Sequence, residues 1–241
     1  MADGSVLRLQ SAVPVAVIGD VHGRLGLLRQ LVEQLGELPL LSVGDVVDRG
    51  EDARGCVDLL LERKAVGVLG NHEQWVRDWV NGEGFDRFAL HPVMGGEATL
   101  RSYGVQGRSP AEVNREVGKV PQAHRDWFGS LVDLIDLEVC GRSYWVAHSA
   151  PSEDLLSAGA GDDEVRHYFE TNAQGLRWSA YAAARVARTQ RPFVVGHMCR
   201  GQPFASAACI AIDTGSGTTP NDTLTAVILP ELRFVSVRAV R

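Results

Sequence analysis

Three glycine-bearing stretches in the first third of the chain gather residues that could hold metal ions and phosphate. The first is Gly19-Asp20-Val21-His22-Gly23, directly after an apolar run. Alternation along an extended turn points Asp20 and His22 the same way, so a carboxylate and an imidazole could share one cation. By itself the stretch reads equally well as an ordinary turn, where Asp beside Gly is common. The second, Gly44-Asp45-Val46-Val47-Asp48-Arg49-Gly50, also follows an apolar run. Asp45 could bridge two cations, and the planar, permanently charged fork of Arg49 could grip phosphate oxygens. A capped helix start with a surface ion pair is the plainer account of this segment. In the third, Gly70-Asn71-His72-Glu73, Asn71 offers a neutral oxygen ligand and His72 a proton for a leaving alkoxide. Asp48 is the natural partner for His72, fixing its tautomer and raising its basicity. Glu73 is expected to cap or orient the following helix rather than touch metal.

Two later histidines end apolar runs: His148 in Ala147-His148-Ser149 and His197 in Gly196-His197-Met198. Singly, each reads as a hydrogen-bonded structural residue. Together with the three loops they complete two coordination spheres, in which Asp20, His22, Asp45, Asn71, His148 and His197 supply six oxygen and nitrogen donors without a thiolate. Such a set suits a pair of manganese, iron or zinc ions. His91, His124 and His167 lack matching partners and receive no chemistry. Trp75, Trp79 and Trp127 read as packing residues.

The elements that must position these residues follow a strand-helix rhythm. Apolar runs at Val13 to Ile18, Leu38 to Val43 and Ala65 to Leu69 alternate with amphipathic stretches at Leu25 to Leu35 and Arg54 to Arg63. This implies an α/β chain with parallel strands, whose carboxyl ends open on a common crevice. From about 74 to 134 the sequence leans helical, with expected helices near Glu97 to Tyr103 and His124 to Leu131 and breaks at Gly82, Gly84, Gly95, Gly96 and Pro110. It reads as an inserted helical cap, with ordinary packing helices as the other account. A hairpin turning at Cys140-Gly141-Arg142, a helix over Leu176 to Arg188, and strands at Pro192 to Val195, Cys209 to Ile212, Leu224 to Leu229 and Arg233 to Val240 complete the pattern. Strands in both halves suggest two sheets face to face with helices outside.

Bulk properties bound the rest. A chain of 241 residues, 45% hydrophobic and 22% charged, suffices for one sizeable core or two small ones, and a single domain over 1–241 is simpler. A net charge of −6 disfavours a nucleic-acid partner, which would need clustered Lys and Arg. The four cysteines lack metal-knuckle or disulfide-framework spacing and read as reduced thiols. Met1 to Pro14 lacks the pattern of a secretory leader, and no apolar run reaches the roughly 20 residues that span a bilayer. No membrane association is expected, and the compartment implied is the cytoplasm.

Gly-Asp-Val-His-Gly, Gly-Asp-Val-Val-Asp-Arg-Gly and Gly-Asn-His-Glu, followed by two strand-end histidines, resemble the phosphoprotein phosphatase family of calcineurin-like metallophosphoesterases. Leu41-Ser42-Val43 before the second motif and Ile212-Asp213-Thr214-Gly215 near the end are similar to the small bacterial and phage members of lambda type. The likeness runs from about Val15 to Ile228. It implies a four-layer α/β/β/α sandwich with a metal pair, Mn2+ first and Fe or Zn as alternatives, at the edge between the sheets. On the matching positions, Asp20, His22, Asp45, Asn71, His148 and His197 would hold the metals with Asp45 bridging. Asp48 and His72 would form the acid dyad, and Arg49 and Asn71 would hold phosphate.

The chain departs from the lambda-type pattern at Trp178-Ser179-Ala180, where those relatives carry a second phosphate-gripping arginine. Arg177, Arg185 or Arg200 could substitute for it. Met198-Cys199-Arg200 also stands where relatives often have Thr-Pro. The implied activity is hydrolysis of phosphate monoesters by a bacterial-type protein serine/threonine phosphatase acting on a phosphorylated protein. The alternatives are a dinucleoside polyphosphate hydrolase, for which the substrate is a nucleotide such as diadenosine tetraphosphate, and a weakened phosphate-sensing or binding module.

Overall fold

The computed structural model describes residues 4–219 and 222–239. Strand β1 (Val6–Ser11) precedes β2 (Val15–Ile18), α1 (Leu25–Leu35), β3 (Leu40–Ser42), α2 (Ala53–Glu62) and β4 (Val66–Gly67). The middle of the chain forms α3 (Asn71–Val80), α4 (Gly96–Ser102), α5 (Pro110–Arg115) and α6 (Gln122–Ser130). Then come the hairpin β5 (Leu134–Val139) and β6 (Arg142–Ala147), helix α7 (Asp162–Arg177), and β7 (Phe193–Val195), β8 (Phe204–Ala205) and β9 (Cys209–Ala211). Strands β10 (Thr223–Leu229) and β11 (Arg233–Arg238) end the fold. The C-terminal strand expected to reach Val240 stops at Arg238, and Val240 itself lies outside the described residues.

The strands build two mixed sheets, one ordered β1-β5-β6-β7-β9-β8 and the other β11-β10-β2-β3-β4. Val17, Leu41, Val43 and Val227 of the smaller sheet pack face to face with Ile135, Leu137, Val146 and Val194 of the larger, forming a dry layer between them. Helices cover the outer faces. Leu28, Leu31 and Leu60 of α1 and α2 share one core with Ile18 and with Trp75, Trp79, Leu100 and Phe128 from the middle segment. On the far side, Val165, Phe169 and Leu176 of α7 pack on Leu134, Trp145 and Phe193. This is the helix-sheet-sheet-helix architecture expected from the sequence.

Helix ends follow local chemistry. The Asp52 carboxylate accepts the Gly55 N–H at 2.8 Å to cap α2. At α5 the Ser109 hydroxyl accepts the Glu112 backbone N–H and the Glu112 carboxylate accepts that of Ser109, with Pro110 at the first position, so a residue expected to break structure starts a helix instead. The helix expected over Leu176 to Arg188 is a correction: α7 ends at Arg177, and only Ala183–Arg185 turns again as a short 3-10 segment. Asp162, Asp163 and Glu164 in the first turn of α7 favour a helix start by their charge against the backbone dipole. Alanine propensity beyond Trp178 yields to the burial of Tyr181, Ala183 and Ala187 in irregular chain.

Register brings the chemistry together. Strand β2 runs parallel to β3 with Ile18 beside Ser42, and β3 parallel to β4 with Ser42 beside Gly67. Their carboxyl ends are therefore level, and the three glycine-bearing loops emerge side by side. In the larger sheet β6, β7 and β9 are also parallel, with Val146 beside Val194 and Val195 beside Ala211, so His148, His197 and Asp213 leave from one edge. As an expected outcome, Ile135→Ala, at a fully buried position between the sheets, lowers unfolding stability by about 2–5 kcal/mol. Urea denaturation checks this, and a shift under about 0.5 kcal/mol, the size usual for a surface substitution, would mean that the layer is not close-packed.

Candidate metal centre

The loops that present the site are held in costly backbone. His22, Asp45, Asp48, Arg49 and His197 have φ of 49°, 53°, 71°, 65° and 65°. For non-glycine residues this left-handed region costs about 1–2 kcal/mol each, and it persists only where surrounding contacts over-determine it. Glu73 supplies the largest set of such contacts. Its fully buried carboxylate accepts the backbone N–H of Asp45 at 2.7 Å, Val46 at 2.6 Å, Val47 at 3.1 Å and Gly70 at 3.1 Å. Burial and the Asp45 charge push its pKa up to about 7, against the pull of the Val47 and Asp45 N–H donors. Close approach fixes two glycines as well: a Cβ on Gly70 would stand 2.2 Å from Asp45 Oδ1, and one on Gly196 2.0 Å from Asp20 Oδ1.

Two groups of potential ligand atoms result, His22, Asp45 and His72 in one and Asp45, His148 and His197 in the other, with the atoms of each within 4.8 Å of one another. Asp45 belongs to both. His148 places Nδ1 2.9 Å from the Val43 carbonyl and His22 places Nδ1 3.1 Å from that of Val47. Each carbonyl requires an N–H, so each ring turns an unprotonated Nε2 into the site. His148 Nε2 then lies 2.9 Å from Asn71 Oδ1, 3.2 Å from His197 Nδ1 and 3.4 Å from Asp45 Oδ1. A bare imidazole nitrogen, an amide oxygen and a carboxylate oxygen converge with no proton demanded between them, which is the arrangement a cation stabilises. Burial lowers the pKa of His22, His148 and His197, the last to about 4, keeping these rings neutral as ligands. Burial opposes ionisation of Asp45, but the imidazoles around it, with the charge centred on His72, and the His72 backbone N–H outweigh it and hold its carboxyl well below the usual range. The donor set therefore fits a pair of divalent ions.

Asp20 stands slightly apart. Its carboxylate accepts the His197 backbone N–H at 3.0 and 3.2 Å, joining the first loop to the larger sheet, and falls in neither group of ligand atoms. Burial, then Asp213, then Asp45 raise its pKa well above the usual value. Asp213 is pushed up to about 6, chiefly by burial. Three buried carboxylates near one another form a concentration of negative charge that a cation would relieve.

His72 and Asp48 form the expected pair, with Nδ1 2.8 Å from Oδ2. Burial works against charging His72, yet Asp45 and Asp48 overcome it and raise its pKa. Asp48 is fully buried, and its Oδ2 also accepts the Trp75 indole N–H at 3.0 Å, while its Oδ1 accepts the Thr99 hydroxyl at 2.7 Å. Thr99 Oγ1 in turn accepts the Asp48 N–H. The Arg49 guanidinium lies 2.6 Å from His22 Nε2 and 3.1 Å from His72 Nε2 and donates to the Val93 carbonyl at 3.2 Å.

Sequence reasoning missed Thr99, the polar role of Trp75 and the loop-clamping role of Glu73. Of the three arginines considered as a second phosphate grip, Arg177 is buried against Asp133 and Gln74, Arg185 pairs with Asp154, and Arg200 lies over the Phe204 ring. Each is engaged elsewhere, whereas Arg49 contacts the His22 and His72 rings of the cluster directly.

Residues 13–173 match the calcineurin-like phosphoesterase family. The chain belongs to that family. Its relatives include serine/threonine-protein phosphatase 1 of Salmonella typhimurium, 43% identical over 68 residues, which covers 27% of this phosphoesterase and 32% of that protein, so the match spans about a third of the relative's length. Serine/threonine-protein phosphatase 2 of the same organism is 26% identical over 209 residues, covering 85% of this chain and 88% of that protein. Among solved structures, one provisionally named a diadenosine tetraphosphatase superposes with a TM-score of 0.65 over 99% of both chains at 19% identity. A Saccharomyces cerevisiae protein serine/threonine phosphatase with similarity to human phosphatase PP5 gives 0.57 over 99% of this chain and 85% of that one at 16% identity. Both establish the phosphoesterase fold. The family comprises phosphoric-ester hydrolases with a dinuclear divalent metal centre, and the His and Asp groups above are where this member gathers candidate ligands. Among the described residues no helix is long and apolar enough to cross a membrane.

Glu73→Gln would set an amide donor among four N–H donors. It is expected to lower unfolding stability by about 1–3 kcal/mol and to reduce the divalent metal retained per chain, read by urea denaturation and elemental analysis. An unchanged urea midpoint together with unchanged metal content would contradict the clamp.

Proposed function

We propose that this phosphoesterase is a metal-dependent protein serine/threonine phosphatase, most active with manganese. The observation that carries the proposal is the buried His72–Asp48 pair, 2.8 Å across, set against a carboxylate shared by two ligand groups and beside one arginine. Likeness along most of its length to serine/threonine-protein phosphatase 2 supports the substrate class.

Asp20, His22 and Asp45 would hold one ion, and Asp45, Asn71, His148 and His197 the other. A divalent pair supplies Lewis acidity, lowering the pKa of nearby water and withdrawing charge from phosphoryl oxygens. Arg49 binds and orients the phosphoryl group through its forked N–H donors and offsets charge that develops on the equatorial oxygens. His72 carries a proton on Nε2 to the departing seryl or threonyl oxygen. Asp48 orients the ring through Nδ1 and favours its charged form, and it is itself kept in place by Thr99 and Trp75.

Replacement of His72 by Asn is expected to lower kcat about 100-fold or more on phosphoserine, whose alkoxide needs protonation, and far less on p-nitrophenyl phosphate. Equal losses on both substrates would reject the acid role. Asp20→Asn is expected to reduce bound metal, and two full equivalents by elemental analysis would remove Asp20 from the ligand set. Assay of the wild-type chain with a phosphoseryl peptide and diadenosine tetraphosphate separates the proposed activity from nucleotide cleavage. Absence of manganese-dependent hydrolysis of either, and of p-nitrophenyl phosphate, would leave a phosphate-binding module.

A further inference from the structure

Next to the ligand cluster, and sharing Asn71 with it, lies a cavity of about 400 Å³ whose other lining residues the phosphoryl chemistry does not use. It is lined by Asn71, by Asp78 of α3 and Asp86, by Phe88 and Trp178, and by Gln174 of α7. The cavity is thus built from both sides of the molecule, and its size is in the range of pockets that take small ligands or single side chains. Phe88 and Trp178 are large rings left 45% and 44% exposed, with centroids 6.0 Å apart and planes tilted by 55°. The Phe88 ring is backed by His91 at 5.6 Å, and its backbone N–H is held by the Asp86 carboxylate at 2.8 Å. Two large rings left about half exposed beside a cavity suit a flat or cationic guest.

Charge decides which. Among the described residues no Lys or Arg lines the cavity, and Arg177, which donates to the lining Gln74, is itself paired with Asp133. Asp78, half-buried, feels Glu83 and Asp86 as like charges, and its pKa is raised, by burial first. Arg77, at 3.8 Å, is its nearest counter-charge. Two carboxylates and two aromatic rings lining one cavity repel a polyphosphate and attract a cation, which gains from both the carboxylates and the ring quadrupoles. Trp178-Ser179-Ala180 is consistent with the same bias, because among the described residues none of Arg177, Arg185 and Arg200 lines this cavity.

We infer that this cavity is a specificity subsite that takes a lysine or arginine side chain flanking the phosphorylated residue of a peptide substrate. The inference rests on the protein-phosphatase reading above and adds the substrate's charge pattern to it. The acidic, aromatic subsite lies beside the Asn71 end of the cluster, so the phosphoryl group on the metals and the cation in the cavity are held at the same time. Selectivity is expressed mainly in KM, since the guest is bound in the ground state as well as in the transition state.

The test compares phosphoseryl peptides that are identical except for Arg, Ala or Glu at the flanking positions, assayed on the full chain with manganese, alongside p-nitrophenyl phosphate and diadenosine tetraphosphate. The Arg peptide is expected to exceed the Ala peptide in kcat/KM by about tenfold, through KM, and the Glu peptide to fall below both. In Asp86→Asn and Trp178→Ala the ratio of Arg to Ala peptide should drop toward one. Because the ratio is taken within each variant, a general loss of activity cancels. Equal kcat/KM for all three peptides, or an undiminished ratio in both variants, overturns the subsite and leaves the phosphatase reading standing. Cleavage of diadenosine tetraphosphate with no turnover of any phosphopeptide overturns both.

Discussion

The site depends on one buried carboxylate. Glu73 touches neither proposed metal position, yet its two oxygens take N–H donors from Asp45, Val46, Val47 and Gly70. A carboxylate so enclosed is tolerable only because backbone donors replace the water it has lost. In return it holds the second and third loops in one register and keeps Asp45 in a left-handed backbone, while Thr99 takes the N–H of the left-handed Asp48. The strain at five site residues is sustained by Glu73 at Asp45, by Thr99 at Asp48 and by Asp20 at His197, among other contacts: the loops are pre-shaped, so binding need not shape them.

The second constraint is the seam between sheets. His148 and His197 come from the six-stranded sheet, and Asp20, Asp45 and Asn71 from loops of the five-stranded one. Direct contacts cross the seam, with His148 donating to the Val43 carbonyl and the Asp20 carboxylate accepting the His197 N–H. The dry layer of Val17, Val43, Ile135, Val146 and Val194 sets the spacing at which these polar contacts meet. Packing thereby fixes a distance on which coordination geometry depends.

Much of this was legible in the sequence because each loop follows an apolar strand and carries its donors next to glycine. The two-sheet architecture, the Asp48–His72 pair and the meeting of Asp45 with His148 and His197 all follow from that local grammar. Other parts leave weaker marks. Strand β1 pairs with β5 from a distance of more than a hundred residues, so nothing local announces it. Thr99 reaches Asp48 from a helix far along the chain, and a lone threonine in a helix carries no signal of its target. Helix α7 was readable, since Val165, Phe169 and Leu176 recur at helical spacing behind three acids. Alanine content drew the expectation to the wrong side of Trp178.

Asp45 stands in both groups of ligand atoms, and this sharing has a thermodynamic consequence. Occupancy of either proposed position would fix the carboxylate's rotamer and draw off its charge, which changes what the other position offers. The two binding equilibria are then linked, and the linkage is reciprocal: whatever the first ion does to the affinity of the second, the second does equally to the first. Uptake of the pair would be a single coupled process rather than two independent ones.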